Sequence, residues 1–239
     1  MRLIVEREKQ RIAFVSATYW NIVATFATKK KELFRAQLAQ VAGKRVATGK
    51  DFDTSNGTLK NTEVACLGEK ETQLLMESLV RSAPAVSALE EKPFTEKPLA
   101  PFTTSTLQQE ANRKLRFSAK RTMRLAQHLY ENGFITYMRT DSTLLSQQAL
   151  SAARSWITKN YGQEYLSPEV RQYQTKVKNA QEAHEAIRPA GESFTELEEV
   201  KNAVEKDAYR LYKLIWKRTV ASQMNDAKGT RLTARITLG

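Results

Sequence analysis

Residues 98–133 read PLAPFTTSTLQQEANRKLRFSAKRTMRLAQHLYENG, and the spacing of apolar residues along the chain changes within this stretch. Before it, apolar residues tend to alternate with polar ones. Within it, apolar residues occur every four positions, at Leu107, Ala111 and Leu115. This is the spacing of one face of an α-helix. The stretch therefore predicts the start of a helical domain.

The predicted helical domain follows a linker marked by prolines at positions 93, 98 and 101. Ser118 and Ser146 are placed to cap two further helices, and Asn132-Gly133 is placed to end the first of them. A short helical turn is expected over residues 182–188 and a long helix over residues 196–222. The cap of the first helix is predicted at Thr104, Ser105 or Thr106. The buried side of the second is predicted at Ala119, Met123, Ala126 and Tyr130.

The two ends of the chain carry strand patterns instead. Apolar residues alternate through residues 20–26, 34–38 and 232–238, while residues 43–61 read as a polar loop and residues 71–81 as a helix. This order predicts an α+β, multidomain fold with a helical domain inserted into a β-rich domain. The predicted domains are residues 1–96, with residues 1–14 a leading helix, residues 97–226, which are helical, and residues 227–239, a returning strand.

Charge and composition limit the function. The 239 residues carry a formal net charge of +12, which favours a polyanionic partner. No apolar run is long enough to span a membrane and no secretory signal is present, so we expect a cytoplasmic protein without a membrane partner. The lone Cys66, with His128 and His184, offers no zinc-finger spacing.

The densest basic run lies just before the middle of the chain and has no acidic residue within it. It consists of Arg113, Lys114, Arg116, Lys120, Arg121 and Arg124. A solvated helix face and a phosphate-binding face are equally compatible with this composition.

Residues 133–142, GFITYMRTDS, carry the most informative chemistry. In an extended segment Tyr137 and Arg139 project to the same side. A phenol is a weak nucleophile at neutral pH and needs a neighbour that draws it to an electrophile, and an arginine fork can grip two phosphate oxygens. The pair therefore indicates phosphate chemistry, although a lone strand tyrosine is more often packed in a core.

A second candidate is QEAHEAIRP at residues 181–189. On a helix His184 and Arg188 share a face, so that the histidine could contact a phosphate or relay a proton while Arg188 holds backbone phosphate. The alternative is a surface or capping histidine. Asp51 and Asp53 begin like a calcium loop, but the glycine comes one position late, so no metal site is assigned.

Three ordered blocks together resemble type IA DNA topoisomerases: residues 100–123, 133–142 and 181–189. The resemblance extends from RLIVERE near the start to the late LYKLIWKR and ASQM segments. It implies that Tyr137 attacks a phosphodiester of single-stranded DNA, forming a 5′-phosphotyrosine without ATP. It also implies that Arg139 holds the scissile phosphate, that His184 supports the phosphate or proton transfer, and that the β-rich part is a hinge or arch.

The resemblance further implies DNA contacts at Arg113, Lys114, Lys120, Arg121, Arg124 and Arg188. Members of the family usually bind Mg²⁺ through an acidic toprim domain, which is absent from these 239 residues, so we expect no metal on this chain. Met1 lies directly on a helical pattern and the last strand ends without a turn, which predicts a central fragment, inactive alone. Arg116 stands where the family often has glycine.

Two other functions remain open at this point. A noncatalytic basic module could bind single strands by phosphate contacts and aromatic stacking alone. The same segment also occurs in reverse gyrase, whose chemistry is identical. A monomer is expected, although self-association is not decided by the sequence.

Overall fold

A computed structural model describes residues 1–173 and 185–238 of the chain. The chain forms two compact units, one of Met1–Glu90 with Leu232–Gly239 and one of Glu91–Arg231. Both contain the kinds of element predicted, and the mixture of helices and antiparallel strands confirms the α+β class. The division between the units falls within two long strands, whereas the domain boundaries predicted from the sequence fall at the ends of those strands. A hinge or arch role for the first unit stays a prediction.

The first unit begins with helix α1 (Arg2–Ile12), which has no buried residue. Strands β1 (Val23–Ala27) and β2 (Leu33–Gln37) form an antiparallel hairpin, in which Phe26 faces Phe34 and their rings stack 5.5 Å apart. This register follows from the alternation of apolar residues on both sides of the lysine-rich turn.

The rest of the first unit is mostly irregular. Strand β3 (Gln40–Val41) precedes the predicted loop, and strand β4 (Lys44–Arg45) and a 3-10 turn at Gly49–Asp51 interrupt it. Helix α2 covers Glu69–Arg81. Its small core contains Ala47, Phe52 and Val64 with the partly buried Ala17 and Leu59.

Strands β5 (Pro84–Glu96) and β6 (Ala227–Leu238) pair in a two-stranded sheet. Pro93, expected in a linker or at a boundary, lies inside β5, close to the division between the units after Glu90. Each strand of a two-stranded sheet is an edge strand, where a residue without an N–H group is tolerated. Gly229 admits the Phe94 ring, because a Cβ there would lie 2.7 Å from that ring.

The second unit is built from helices around one core. They are α3 (Thr104–Leu115), α4 (Ala119–Glu131), α5 (Gln147–Tyr161), α6 (Leu197–Ala203) and α7 (Lys206–Ala221), with a 3-10 turn at Gln163–Tyr165. Residues from all of these α-helices, together with the loop residues Phe102, Ile135, Met138 and Ile187, fill the core.

The helix starts depend on side-chain caps. Ser118 and Ser146 accept hydrogen bonds from backbone N–H groups in the first turns of α4 and α5, as predicted. Helix α3 is capped by Thr103, one residue before the predicted set, and Thr106 bonds back to it.

Two helical predictions were wrong in detail. The long helix over residues 196–222 is two helices, because Val204 is extended and Glu205 starts a new helix. The buried side of α4 consists of Thr122, Leu125, Ala126 and Leu129, whereas Tyr130 is 40% exposed. Helix α4 packs against α3 and α7, and the face that these neighbours bury shares only Ala126 with the face that the spacing favoured.

Within the described residues, no helix has the length and apolar character needed to cross a lipid bilayer.

Candidate active site

The segment after α4 presents Tyr137 and Arg139 on its outer side. Met138 and Thr140 are buried at 2% and 8% exposure, while Tyr137 is 41% exposed and Arg139 is also exposed. Exposure alternates as expected from the sequence, but the backbone bends at Thr136, Met138 and Arg139 and does not form an extended strand. The structure therefore exposes both predicted residues, while Met138 and Thr140 between and after them are buried.

Two threonines attach this segment to the rest of the unit. The Thr136 hydroxyl donates to the Ala186 carbonyl at 2.7 Å, and backbone bonds link Thr136 with Arg188. On the other side, the Thr104 Oγ1 atom lies 2.8 Å from the Met138 carbonyl oxygen and accepts a bond from the Thr140 N–H at 2.9 Å. Backbone before and after Tyr137 is therefore held by tertiary hydrogen bonds.

Tyr130 is a neighbour of Tyr137 that the sequence pattern did not indicate. Its ring meets the Tyr137 ring edge to face, with centroids 5.4 Å apart. The sequence pattern placed Tyr130 on the buried side of α4. In the structure both rings are partly exposed and in contact with each other. It puts the C-terminal end of α4 directly beside Tyr137.

Lys120 and Arg124 lie on the exposed side of α4, one turn apart, with His128 a turn further on. Neither Lys120 nor Arg124 forms an ion pair with any residue that the structure describes. At 100° per residue they lie roughly 80–120° round the helix from Tyr130. These two cations are accordingly available to phosphate on a face that flanks the tyrosine.

Three other cations of the basic run have acidic partners. Glu110 pairs with Arg113 at 2.8 Å and Lys114 at 2.9 Å, and the bond from Arg113 lowers the pKa of Glu110 to about 2. Arg121 pairs with Asp207 of α7. The run is free of acids in sequence, but the fold supplies them from the preceding turn of α3 and from α7.

Arg188, predicted to hold backbone phosphate, is buried and bonded to groups of the protein itself. Its guanidinium donates to Glu185 at 2.7 Å and to the Pro189 carbonyl oxygen at 2.8 Å, and its side chain is 8% exposed. Glu185 in turn accepts a bond from the Ser146 N–H at 2.5 Å. Burial raises the pKa of Glu185, but the bonds from Ser146 and Arg188 outweigh it, so that the pKa is lowered. Arg188 therefore stabilises the start of α5 by holding Glu185 against the Ser146 N–H.

His184 lies outside the described residues, as does the first part of the predicted helical turn. The described part, residues 185–190, is not helical. Ile187 and Pro189 instead form isolated antiparallel bridges with Phe102 and Ile135. The proline that was expected to stop a helix sits in one of these bridges, because its N–H is not needed there.

No metal site is formed by the described residues, among which no cluster of three His, Cys, Asp or Glu side chains occurs. Asp51 is bound by Arg45 and by the Thr48 N–H, and the Arg45 bond holds the pKa of that carboxyl well below its usual range. Asp53 bonds to Ser55 within its own turn. The donor set of the described residues does not fit Mg²⁺.

The family model described as DNA topoisomerase matches residues 1–239. The chain belongs to this family. It is 53% identical to DNA topoisomerase 1 of Mycolicibacterium smegmatis and 54% identical to that of Mycobacterium tuberculosis (strain ATCC 25618 / H37Rv), over 98% and 99% of its length. It covers 26% of each of these relatives. The chain thus spans about a quarter of the length of the curated topoisomerases that it matches.

A solved structure, the full-length topoisomerase I from Thermotoga maritima, matches with a TM-score of 0.63 at 30% identity. The match covers 99% of this chain and 34% of that one. Membership in the topoisomerase family, an isomerase family that acts on DNA, gives the exposed Tyr137–Arg139 pair its chemical context.

Proposed function

We propose that this chain is the tyrosine-bearing central segment of a type IA DNA topoisomerase, the kind that cuts one strand, passes another through the break and reseals it. The observation that carries the proposal is Tyr137, exposed beside Arg139 on a backbone that is hydrogen-bonded on both sides. A nucleophile needs this combination of access and fixed position.

In the proposed reaction the Tyr137 Oη atom attacks the phosphorus of a phosphodiester in single-stranded DNA. A bond forms between Oη and phosphorus, the bond from phosphorus to the 3′ oxygen breaks, the phenol loses its proton and the leaving 3′ oxygen gains one. The 5′-phosphotyrosine conserves the energy of the original bond, so the reverse attack by the 3′ hydroxyl reseals the strand without ATP. Passage of another strand between the two steps relaxes negative supercoils.

Arg139 is proposed to hold the scissile phosphate and offset its developing charge, since it is exposed two residues after Tyr137. His184 is proposed to assist the phosphate or the proton transfers. Lys120 and Arg124 are proposed to bind the backbone of the DNA strand near the tyrosine. Arg113, Lys114 and Arg121 are proposed to contact the DNA as well. Their positive charge is partly offset by the paired Glu110 and Asp207.

Mg²⁺ is proposed to bind outside these 239 residues, in an acidic domain of the full-length protein, since the described residues do not fit it. The chain alone is then expected not to relax DNA. The location proposed for the full-length protein is the cytoplasm, on the nucleoid.

The test is a covalent trapping assay with the full-length protein that carries this chain. The protein is mixed with single-stranded oligonucleotide and Mg²⁺, denatured with detergent and examined for a DNA adduct. We expect Tyr137→Phe to abolish the adduct.

The matched control is Tyr161→Phe. Tyr161 is 49% exposed and meets Trp156 edge to face at 5.4 Å, so it repeats the environment of Tyr137 elsewhere in the same unit. Full adduct formation by Tyr137→Phe would refute the enzyme proposal and favour a noncatalytic single-strand binder.

A further inference from the structure

We propose that Thr104 is a positioning residue for cleavage, which fixes the backbone of the Tyr137–Arg139 segment through its hydroxyl. This inference rests on the proposed function. Thr104 belongs to α3, whereas the segment it contacts lies 34–36 positions later in the chain.

The contacts of Thr104 enclose Arg139. Its Oγ1 atom lies 2.8 Å from the Met138 carbonyl oxygen and 3.1 Å from that of Thr140, and it accepts the Thr140 N–H at 2.9 Å. Its own N–H donates to the Thr140 carbonyl oxygen at 2.9 Å. One hydroxyl therefore uses both its donor and its acceptor capacity on the residues either side of Arg139.

This hydroxyl is not needed by the helix to which it belongs. Thr103 is the cap of α3 and accepts the N–H of Thr106, so the cap does not use the Thr104 hydroxyl. Hydroxyls at helix starts usually bond within their own turn. The use of Thr104 for a distant segment is the feature that separates a positioning role from a capping role.

The bonds of Thr104 complement those of Thr136 on the far side of Tyr137. Thr136 ties the backbone just before the tyrosine to Ala186 and Arg188, and Thr104 ties the backbone just after it to α3. With both sides held, the directions of Tyr137 and Arg139 are set before DNA binds. Preorganisation of this kind speeds a reaction by removing a search for the reactive geometry.

Replacement of Thr104 by Val keeps the shape but removes the hydroxyl. The Met138 carbonyl and the Thr140 N–H then lose this partner, and the segment gains freedom of movement around Tyr137. We expect the rate of adduct formation at saturating single-stranded DNA to fall roughly 10- to 100-fold in the full-length protein. The dissociation constant for the same DNA should change by no more than about twofold, because Lys120 and Arg124 are untouched.

Two variants separate positioning from general stability. Thr104→Ser restores the hydroxyl and should recover most of the cleavage rate. Thr122→Val is the matched control, because the buried Thr122 hydroxyl also donates to a backbone carbonyl, that of Ser118 at 3.0 Å, but within α4. It should lower the thermal midpoint while leaving the cleavage rate near that of the parent.

Three results would overturn the proposal. They are an unchanged cleavage rate in Thr104→Val, a Thr104→Ser rate as low as that of Thr104→Val, and a loss of rate matched by an equal loss of DNA affinity. Amide hydrogen exchange of the unsubstituted chain is a test that needs no variant to fold. Thr140 should be protected, and exchange as fast as in an unfolded peptide would exclude the bond to Thr104.

Tyr137→Phe in the same assay distinguishes the two proposals. If it abolishes the adduct while Thr104→Val does not slow it, the proposed function stands and the role of Thr104 falls. If Tyr137→Phe still forms the adduct, both fall.

Discussion

At the scale of single residues, Arg116 adopts a backbone conformation that a residue with a side chain disfavours. It ends α3 at φ 62° and ψ 31°, in the left-handed region, and its N–H bonds back to the Asn112 carbonyl at 3.1 Å. An L-residue with a side chain pays about 1–2 kcal/mol for this conformation, and glycine does not. The turn between α3 and α4 is formed with arginine at the position where the family often has glycine.

We expect Arg116→Gly to raise the free energy of unfolding of the chain by about 0.5–1 kcal/mol, because relief of the left-handed strain exceeds the added entropy of the unfolded glycine. Denaturant unfolding measures the difference. The control is Gln109→Gly, an exposed position inside α3, which should instead lose about 1 kcal/mol. A lower free energy of unfolding in Arg116→Gly would show that the left-handed backbone of Arg116 is not strained.

The residue scale also shows what sequence patterns can and cannot supply. The exposure of Tyr137 and Arg139 agrees with the alternation expected from the sequence, although the bends at Thr136, Met138 and Arg139 were not expected. The burial of Arg188 was not, because it depends on Glu185 and on the Ser146 N–H at the start of another helix. The long-range use of Thr104 was equally hidden, since a threonine at a helix start looks like a cap.

At the scale of elements, α4 carries Lys120 and Arg124, and its C-terminal end contacts Tyr137 through Tyr130. Its cap at Ser118 and its end at Asn132-Gly133 follow from local signals and were predicted. Its buried face was not, because the choice between neighbouring faces depends on what packs against them. The break between α6 and α7 was missed for a similar reason. The apolar pattern continues across Val204, although the helical conformation ends there.

We expect Lys120→Ala in α4 to lower the slope of log affinity against log salt by about 0.7 for single-stranded DNA, because one phosphate contact is lost. Arg188→Ala should leave this slope unchanged, since its guanidinium is occupied by Glu185, and should instead destabilise the chain by about 3 kcal/mol. Fluorescence anisotropy over a range of salt concentrations and thermal unfolding make the two measurements. A reduced slope for Arg188→Ala with unchanged stability would restore it as a phosphate contact.

At the scale of the whole molecule, the two units differ in how much core each contains. Unit two has a continuous core drawn from all of its α-helices, whereas the core of unit one is a small cluster around Phe52. The insertion of helical sequence between strand-forming ends was predictable from the change of apolar period near Pro101. The division inside β5 and β6 was not, because no residue pattern marks a boundary within a regular strand.

The chain corresponds to about a quarter of each curated topoisomerase that it matches, so its proposed activity belongs to the full-length protein. The described residues supply an exposed tyrosine, a neighbouring arginine and a basic helix face. The proposed Mg²⁺ site lies elsewhere in that protein.

The measurement that tests the central claim most directly is the identity of the trapped bond. The full-length protein is incubated with a single-stranded oligonucleotide labelled at its 3′ end or its 5′ end, denatured, and digested for mass spectrometry. The account predicts that only the 3′ label stays with the protein, and that the DNA remnant is on Tyr137 rather than Tyr130. Retention of the 5′ label, or a remnant on any other residue, would contradict it.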